Sequence, residues 1–403
     1  MNIFISIVGL GLLILIHEAG HFFVARAVGM NPRKFYVGFP PAIVKTQRNG
    51  IEYGIGAIPL GGYVKIPGMH RPAPGDLDMY FGRAVAEQPA LGRDVEMLRR
   101  RLAANDDIGA REVVDSLGRA IEGADLSPLA IKSADRGTSE VSDALGPDAY
   151  WRAKTWKRVA VIFAGPGANL VLAVALFAAL FMAGGGRATR VVDEVVPGTP
   201  AAAAGLRAGD EIVDIDGRAV DADEIAQRIR ESRGEELTLV VERGRASVTL
   251  GPVRARQIEG AYRLGFALRG EGLGPLDSTW QAVRVTGLVS KQIGVSIAEI
   301  VTGDGREQIS SPVGIVQASS QQAERGLDNY LWVLGLISLS LALLNLLPLL
   351  PLDGGHIAFS LLEGVRGKAV AREVYERVSA VGIAVVLLLF FIGLSNDIGR
   401  LGN

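Results

Sequence analysis

Apolar residues in this chain gather into four long stretches: Ile3 to about Val28, Val159 to Ala183, Tyr330 to Leu347, and Val378 to Leu394. A bilayer core about 30 Å thick needs roughly 20 apolar residues at 1.5 Å rise each. The second stretch meets that length easily, and the third and fourth are slightly short. The first opens with an uncharged run up to His17, and no small-residue cleavage site follows it, which separates it from a cleavable signal peptide. The pattern predicts four membrane spans, so the fold class is a polytopic α-helical membrane protein.

Loop charge orients those spans. One side carries Arg26, Arg33, Lys34, then Arg152, Lys154, Lys157, Arg158, then Arg366, Lys368, Arg372 and Arg377. The other has only Arg187, Arg190, Arg325 and Arg400 near span ends. Because short cytoplasmic loops are enriched in Lys and Arg, the first set is expected in the cytoplasm and both termini outside. The outside loop between spans two and three, about 145 residues long, has room for a folded domain.

Composition removes several alternatives. A formal charge of −1 over 403 residues argues against a nucleic-acid binder, which carries a basic domain or stripe. The absence of cysteine excludes disulfides, thiolate metal ligands and a cysteine nucleophile. Histidine is scarce, only 4 in the chain, yet two of them fall in His17-Glu18-Ala19-Gly20-His21, inside the first span. Positions i and i+4 share one helix face, so both imidazoles reach one metal ion and Glu18 stands beside it as a general base. Ionisable groups deep in a span are costly unless paired, and a bound cation supplies the partner.

Two histidines need a third protein ligand if the metal is to keep an open position for water. The candidate is Asp353, in the segment Asn345-Leu346-Leu347-Pro348-Leu349-Leu350-Pro351-Leu352-Asp353-Gly354-Gly355-His356. Prolines break the helical ladder and glycines let backbone approach closely. Irregular backbone at membrane depth is tolerated only where it lines protein or a wet cavity. His356 reads as a supporting residue or a fourth ligand. His70 reads as a solvated loop residue.

On these motifs the chain resembles the site-2 protease family of zinc intramembrane metalloproteases, in the bacterial form related to the regulator-of-sigma-E protease. Gly38-Phe39-Pro40-Pro41, Pro59-Leu60-Gly61-Gly62-Tyr63-Val64 and Phe163-Ala164-Gly165-Pro166-Gly167-Ala168-Asn169 support the resemblance, which covers nearly the whole chain except 72–148. It implies Zn2+ held by His17, His21 and Asp353, with Glu18 catalytic, near the cytoplasmic face of a bacterial plasma (inner) membrane. Some relatives carry proline three residues before the aspartate, where this chain has Leu350 and places Pro351 one later. That departure bears on local backbone geometry, not on the ligand.

Asn49-Gly50 marks a two-residue hairpin turn between Ala42–Arg48 and Ile51–Ile58. In the family such a membrane-associated β-hairpin clamps substrate by strand addition, which assigns substrate contacts to Tyr53, Gly54 and Ile55. Asn169, Asn345 and Pro348 carry over from the family as substrate contacts, the asparagines also as oxyanion donors. The small residues around Asn169 suit close helix packing.

Residues 188–270, from Val196-Pro197-Gly198-Thr199-Pro200 through Asp214-Ile215-Asp216-Gly217 and beyond, resemble an extracytoplasmic PDZ-like α+β domain. Its role is either to capture a peptide C-terminus or to act as a steric filter. The expected division is 1–71 (first span and hairpin), 72–148 (cytoplasmic insertion) and 149–187 (second span). After these come the PDZ-like domain (188–270), a linker with an interfacial helix opening at Ser310 (271–329), and the last two spans (330–403). Within the insertion, Val95–Ala103 and Arg111–Ile121 read as exposed amphipathic helices, and Arg99-Arg100-Arg101 as a solvated face or a contact to anionic lipid.

The function these features imply is zinc-dependent cleavage of transmembrane segments in single-span membrane proteins, with anti-sigma factors or remnant signal peptides as the family's substrates. The rival reading is a non-catalytic membrane adaptor with a PDZ domain and a structural metal. A metal-ion transporter fits less well, because the acids and histidines cluster at one depth.

Overall fold

The computed structural model describes residues 2–258, 260–303, 305–370 and 372–401. Among these residues, four helices are long and apolar enough to cross a membrane: Asn2–Ala27, Thr155–Gly185, Leu327–Asn345 and Val374–Arg400. These are the four apolar stretches of the sequence with their ends moved by a few residues; the third stops at Asn345, before Leu347. The chain divides into two compact units, one of Met1–Leu172, Ile293–Gly326 and Leu336–Asn403, the other of Ala173–Gln292 and Leu327–Gly335.

The first unit opens with α1 (Asn2–Ala27), followed by strands β1 (Lys34–Arg48) and β2 (Ile51–Lys65). Asn49 and Gly50 both take positive φ, 52° and 77°, as the tight turn between strands requires. The strands are long and fold back on themselves. Phe35 lies opposite both Tyr53 and Val64, and Tyr53 lies opposite both Phe35 and Thr46. Segment 52–55 is therefore internal, and the outer edges of this small sheet are 42–48 and 62–65, the latter with its Val64 N–H turned to Glu18.

The insertion forms four helices, α2 (Asp76–Glu87), α3 (Gly92–Ala103), α4 (Asp107–Glu122) and α5 (Pro128–Leu145). Its amphipathic helices are not exposed on their apolar faces. Leu77, Phe81, Leu98 and Leu117 are fully buried in one core, because each stripe finds its partner in a neighbouring helix. Asp106 caps α4 by accepting from the Gly109 N–H at 2.9 Å, and Ser127 caps α5 with Pro128 at its first position. The arginine triplet is consumed internally: Arg99 pairs with Asp78 and Glu96, Arg100 with Glu96, Arg101 with Asp106. At its C-terminal end the insertion is fastened to the sheet. Arg33 bonds Asp143 at 2.7 Å and Asp148 at 2.9 Å, while Lys65 pairs with Glu140 and Asp143.

Next comes α6 (Thr155–Leu180), which carries Pro166 in its interior. It packs on α1 at Gly20, where an added Cβ would strike the Ala164 carbonyl.

The second unit contains β3 (Arg187–Val195), α7 (Pro200–Ala203), β4 (Glu211–Ile215), β5 (Arg218–Ala219), α8 (Ala222–Glu231), β6 (Glu236–Arg243), β7 (Ala246–Arg254), β8 (Arg256–Ile258), β9 (Ala261–Arg263) and β10 (Phe266–Glu271). The main sheet runs β10-β3-β4-β6-β7 with β5 beside β4. Val192, Ile212, Leu239 and Val241 bury their side chains against Ile225 and Ile229 of α8. Asp210, 1% exposed, is held by Arg243 and by the Arg207 N–H.

The remaining helices are α9 (Pro275–Thr302), α10 (Pro312–Arg325), α11 (Leu327–Asn345), α12 (Asp353–Arg366) and α13 (Arg372–Leu401). The expected interfacial helix is α10, its N-terminus capped by Ser311 and by Asp397 of α13. The long helix α9 was hidden in what the sequence reads as linker.

Candidate metal centre

Helical spacing puts His17 and His21 on one face of α1, with ring centroids 4.8 Å apart. The chain then returns Asp353 to them as the first residue of α12, where an acidic side chain also suits the helix dipole. Gly354 and Gly355 make that return feasible. A Cβ on either would strike the backbone of Leu346, Leu347 or Leu350, so the preceding loop packs directly under the first turn of α12.

His17 Nε2 lies 3.2 Å from His21 Nε2 and 3.2 Å from Asp353 Oδ2, and His21 Nε2 lies 3.5 Å from the same oxygen. Tetrahedral zinc with bonds of about 2.0–2.1 Å to nitrogen and oxygen requires donor separations of about 3.3–3.4 Å. The observed triangle matches that edge length. His21 Nδ1 donates to the Val161 carbonyl at 2.8 Å, which leaves the Nε2 lone pair facing the other two donors. The buried Asp353 Oδ2 has no hydrogen-bond partner in the protein. Converging lone pairs without protons between them repel, and a divalent cation is what this donor set fits.

Gly165 closes the site from α6. An added Cβ would fall on Nε2 of His21 and of His17, so this glycine leaves the space that the donors share. The sequence reads Gly165 only as a helix-packing residue. Its contact with the imidazoles depends on how α1 and α6 cross.

Glu18 lies within electrostatic reach of His17, His21 and Asp353. A Cβ at Gly62 would strike its Cγ, so the 62–65 edge of the sheet rests directly on the candidate base. In the same sheet Tyr36 donates to Glu52 at 2.6 Å, and Lys34 and Lys45 flank that carboxylate. The Tyr36 bond, with the two lysines, lowers Glu52 to about 2.

The other named residues are placed as follows. Asn169 is fully buried on α6, four residues from Gly165, and neither amide atom has a partner; its carbonyl accepts from Ser338 Oγ at 2.8 Å. Asn345 ends α11 half-buried, and Pro348 is exposed in the loop beyond. The backbone of Tyr53, Gly54 and Ile55 is paired on both sides, so an added strand has no free edge there. Tyr53 instead packs its ring near Phe22 and Phe35.

His70 is not simply solvated: its ring meets Tyr375 edge-on at 4.4 Å, and the Tyr375 hydroxyl bonds His356 Nδ1 at 2.5 Å. Nothing in the local sequence around His70 signals this, because Tyr375 lies far along the chain.

Comparison with known proteins gives the same direction. A zinc metalloprotease named RasP from Geobacillus kaustophilus is 30% identical over 419 residues, covering 98% of this chain and 97% of its own. RasP of Oceanobacillus iheyensis is 30% identical over 412 residues, covering 97% of each chain. A Lactococcus lactis protein carrying a zinc metalloprotease name is 29% identical over 419 residues, covering 97% and 96%. The model of peptidase family M50 matches residues 5–389, so the chain belongs to that family, the site-2 proteases, and is a zinc metalloprotease.

Proposed function

We propose that this enzyme hydrolyses peptide bonds within transmembrane segments of single-span membrane proteins, the chemistry of regulated intramembrane proteolysis. Anti-sigma factors and remnant signal peptides are the substrate classes this reading favours. The observation that carries it is the triangle of His17, His21 and Asp353 donors, the histidines on a helix long and apolar enough to cross a membrane, with Glu18 beside it. In this reading these three residues would hold zinc.

Held by His17, His21 and Asp353, zinc would supply Lewis-acid polarisation of the scissile carbonyl and a water of pKa lowered towards about 7. Glu18 accepts the proton of the attacking water and passes it to the amide nitrogen that leaves as an amine. Asn169, buried with both amide atoms unpaired, donates to the oxygen that gains charge at the scissile carbon. An unpaired buried amide is costly in the resting protein, and a substrate carbonyl relieves that cost. The edge at 62–65, resting on Glu18, takes the substrate as an added extended strand and exposes a peptide bond that a helix would shield.

The basic residues flanking the spans support a cytoplasmic position for the site and an extracytoplasmic one for the sheet of β3–β10. We read that sheet as PDZ-like. Its edge strand β10 and helix α8 border a cavity of about 710 Å³, lined by Ile225, Ile229, Leu264, Phe266 and Leu268, where an extended peptide end fits.

The test is cleavage of a single-span reporter co-reconstituted in vesicles. Glu18→Gln is expected to lower turnover by about 10²–10⁴-fold with zinc content unchanged. Equal cleavage by the variant overturns the reading.

A further inference from the structure

Away from the metal centre, the first unit holds a polar chamber of about 910 Å³ where α6 and α13 begin and α12 ends. Helices α6 and α13 supply two of the membrane-length segments, so the chamber sits where spans leave the apolar layer. Three cations, Arg71, Arg158 and Lys368, line it against one acid, Glu363. Glu363 is engaged by Arg158, whose buried Nε keeps no partner, and Arg71 is paired with Asp107. Lys368 is exposed and makes no ion pair among the described residues. The chamber therefore carries positive charge that its own walls do not neutralise.

A second, apolar groove of about 340 Å³ meets the chamber at His70 and Tyr375. It continues along α13 past Ser379 and Ala380 to Ile383, about 12 Å at 1.5 Å rise per residue. Glu376, which also borders the groove, has its own partner within the protein.

From the meeting of these two spaces we infer a binding site for an anionic phospholipid, its phosphate in the chamber near Lys368 and Arg158 and an acyl chain along α13. A soluble anion would fill the chamber and leave the groove unused. A zwitterionic lipid would fill both and gain little from the uncommitted charge of Lys368. Only a molecule with a negative head and an apolar tail answers to both at this depth. The occupant would touch Tyr375 and His356, and so the helix whose first residue is Asp353.

The test is native mass spectrometry of the full chain in detergent, titrated separately with phosphatidylglycerol, phosphatidylcholine and inorganic phosphate. Phosphatidylglycerol is expected to bind at least fivefold more tightly than phosphatidylcholine. Lys368→Gln should weaken phosphatidylglycerol about fivefold, the effect of one basic residue beside an anionic surface, and spare phosphatidylcholine. Ala380→Trp, at an exposed position in the groove, should weaken both lipids. Equal binding of the two lipids, or unchanged binding in both variants, overturns the inference. Inorganic phosphate that binds alone and displaces phosphatidylglycerol, with no effect of Ala380→Trp, assigns the chamber to free phosphate and overturns it too.

Discussion

Gly165→Ala is the sharpest perturbation of the metal centre, because the ordinary effect of the substitution has the opposite sign. In a helix interior alanine is favoured over glycine by about 0.8–1.0 kcal/mol. At Gly165 the new methyl would occupy the space between His17 Nε2 and His21 Nε2. The imidazoles cannot rotate away freely, since His21 is fixed through Nδ1 to the Val161 carbonyl, and Val161 belongs to the same helix as Gly165. Nor can α6 slide inward elsewhere, because Gly20 already meets the Ala164 carbonyl. The strain falls on the donor triangle. Disturbing the groups that orient a ligand costs about 10–100-fold in metal affinity, and a displacement near 1 Å costs about 10²-fold in rate. Zinc affinity, read from occupancy across buffers of fixed free zinc, should fall by that factor, and reporter cleavage in limiting zinc should fall with it. Gly11→Ala, where an added Cβ meets nothing within 4 Å, is the control and should retain both. A Gly165→Ala protein that keeps zinc and activity within twofold of the wild type would refute the placement of α6 against the two histidines.

Two further predictions concern the parts around the site. In the second unit, the Arg243 guanidinium beside Asp210 holds that carboxyl below its ordinary value of 3.8. A lowered folded value means the stabilisation is complete above the unfolded value and is lost as pH falls through the folded one. Amide exchange protection in β4 and β6 of the full chain should therefore drop below about pH 4, and Asp210→Asn should remove that pH dependence; an identical profile in the variant would contradict it. In the insertion, Leu98→Ala deletes a fully buried side chain and should lower exchange protection across α2–α5 by about 2–5 kcal/mol. Met97→Ala, at a neighbouring position 39% exposed, should cost far less, and equal losses would mean the insertion has no core of its own.

The features legible in the sequence are those whose cause is local. The four spans follow from apolar length, the Asn49-Gly50 turn from its dihedral demand, and the shared face of His17 and His21 from helical spacing. Asp353 was legible because a lone acid among prolines and glycines at membrane depth needs a purpose. What escaped depends on contacts between distant segments. Periodicity gives the amphipathic helices of the insertion, but not that their stripes bury one another. A hairpin pattern gives two strands, whereas the fold-back that makes Tyr53–Ile55 internal is a pairing of β1 with both ends of β2. Gly165 against an imidazole and Gly165 against a neighbouring helix look the same in one dimension. His70 meets Tyr375 only because the loop after β2 passes over the start of α13.

The attachment of the insertion to the sheet links that segment to Glu18, the proposed base, and Arg33 is where that link is tested. Its guanidinium bonds Asp143, Asp148 and the Asn31 carbonyl, with the two carboxylates 14% and 13% exposed. Arg33 directly precedes β1, whose first residues pair with 62–65, the edge that rests on Glu18. Arg33→Ala leaves two mostly buried carboxylates without their shared, partly exposed cation, although Lys65 still reaches Asp143. The cost is less than the 3–5 kcal/mol of a fully buried pair, about 1–3 kcal/mol, and it is spent on the register between insertion and sheet. The proposed metal ligands lie on α1 and α12, so zinc content should stay unchanged. What loosens is the edge proposed to align a substrate strand, and the expected result is a KM for the reporter raised more than kcat is lowered. Lost zinc in Arg33→Ala, or a fall in kcat at constant KM, would mean that the link acts on the metal centre and not on the substrate edge.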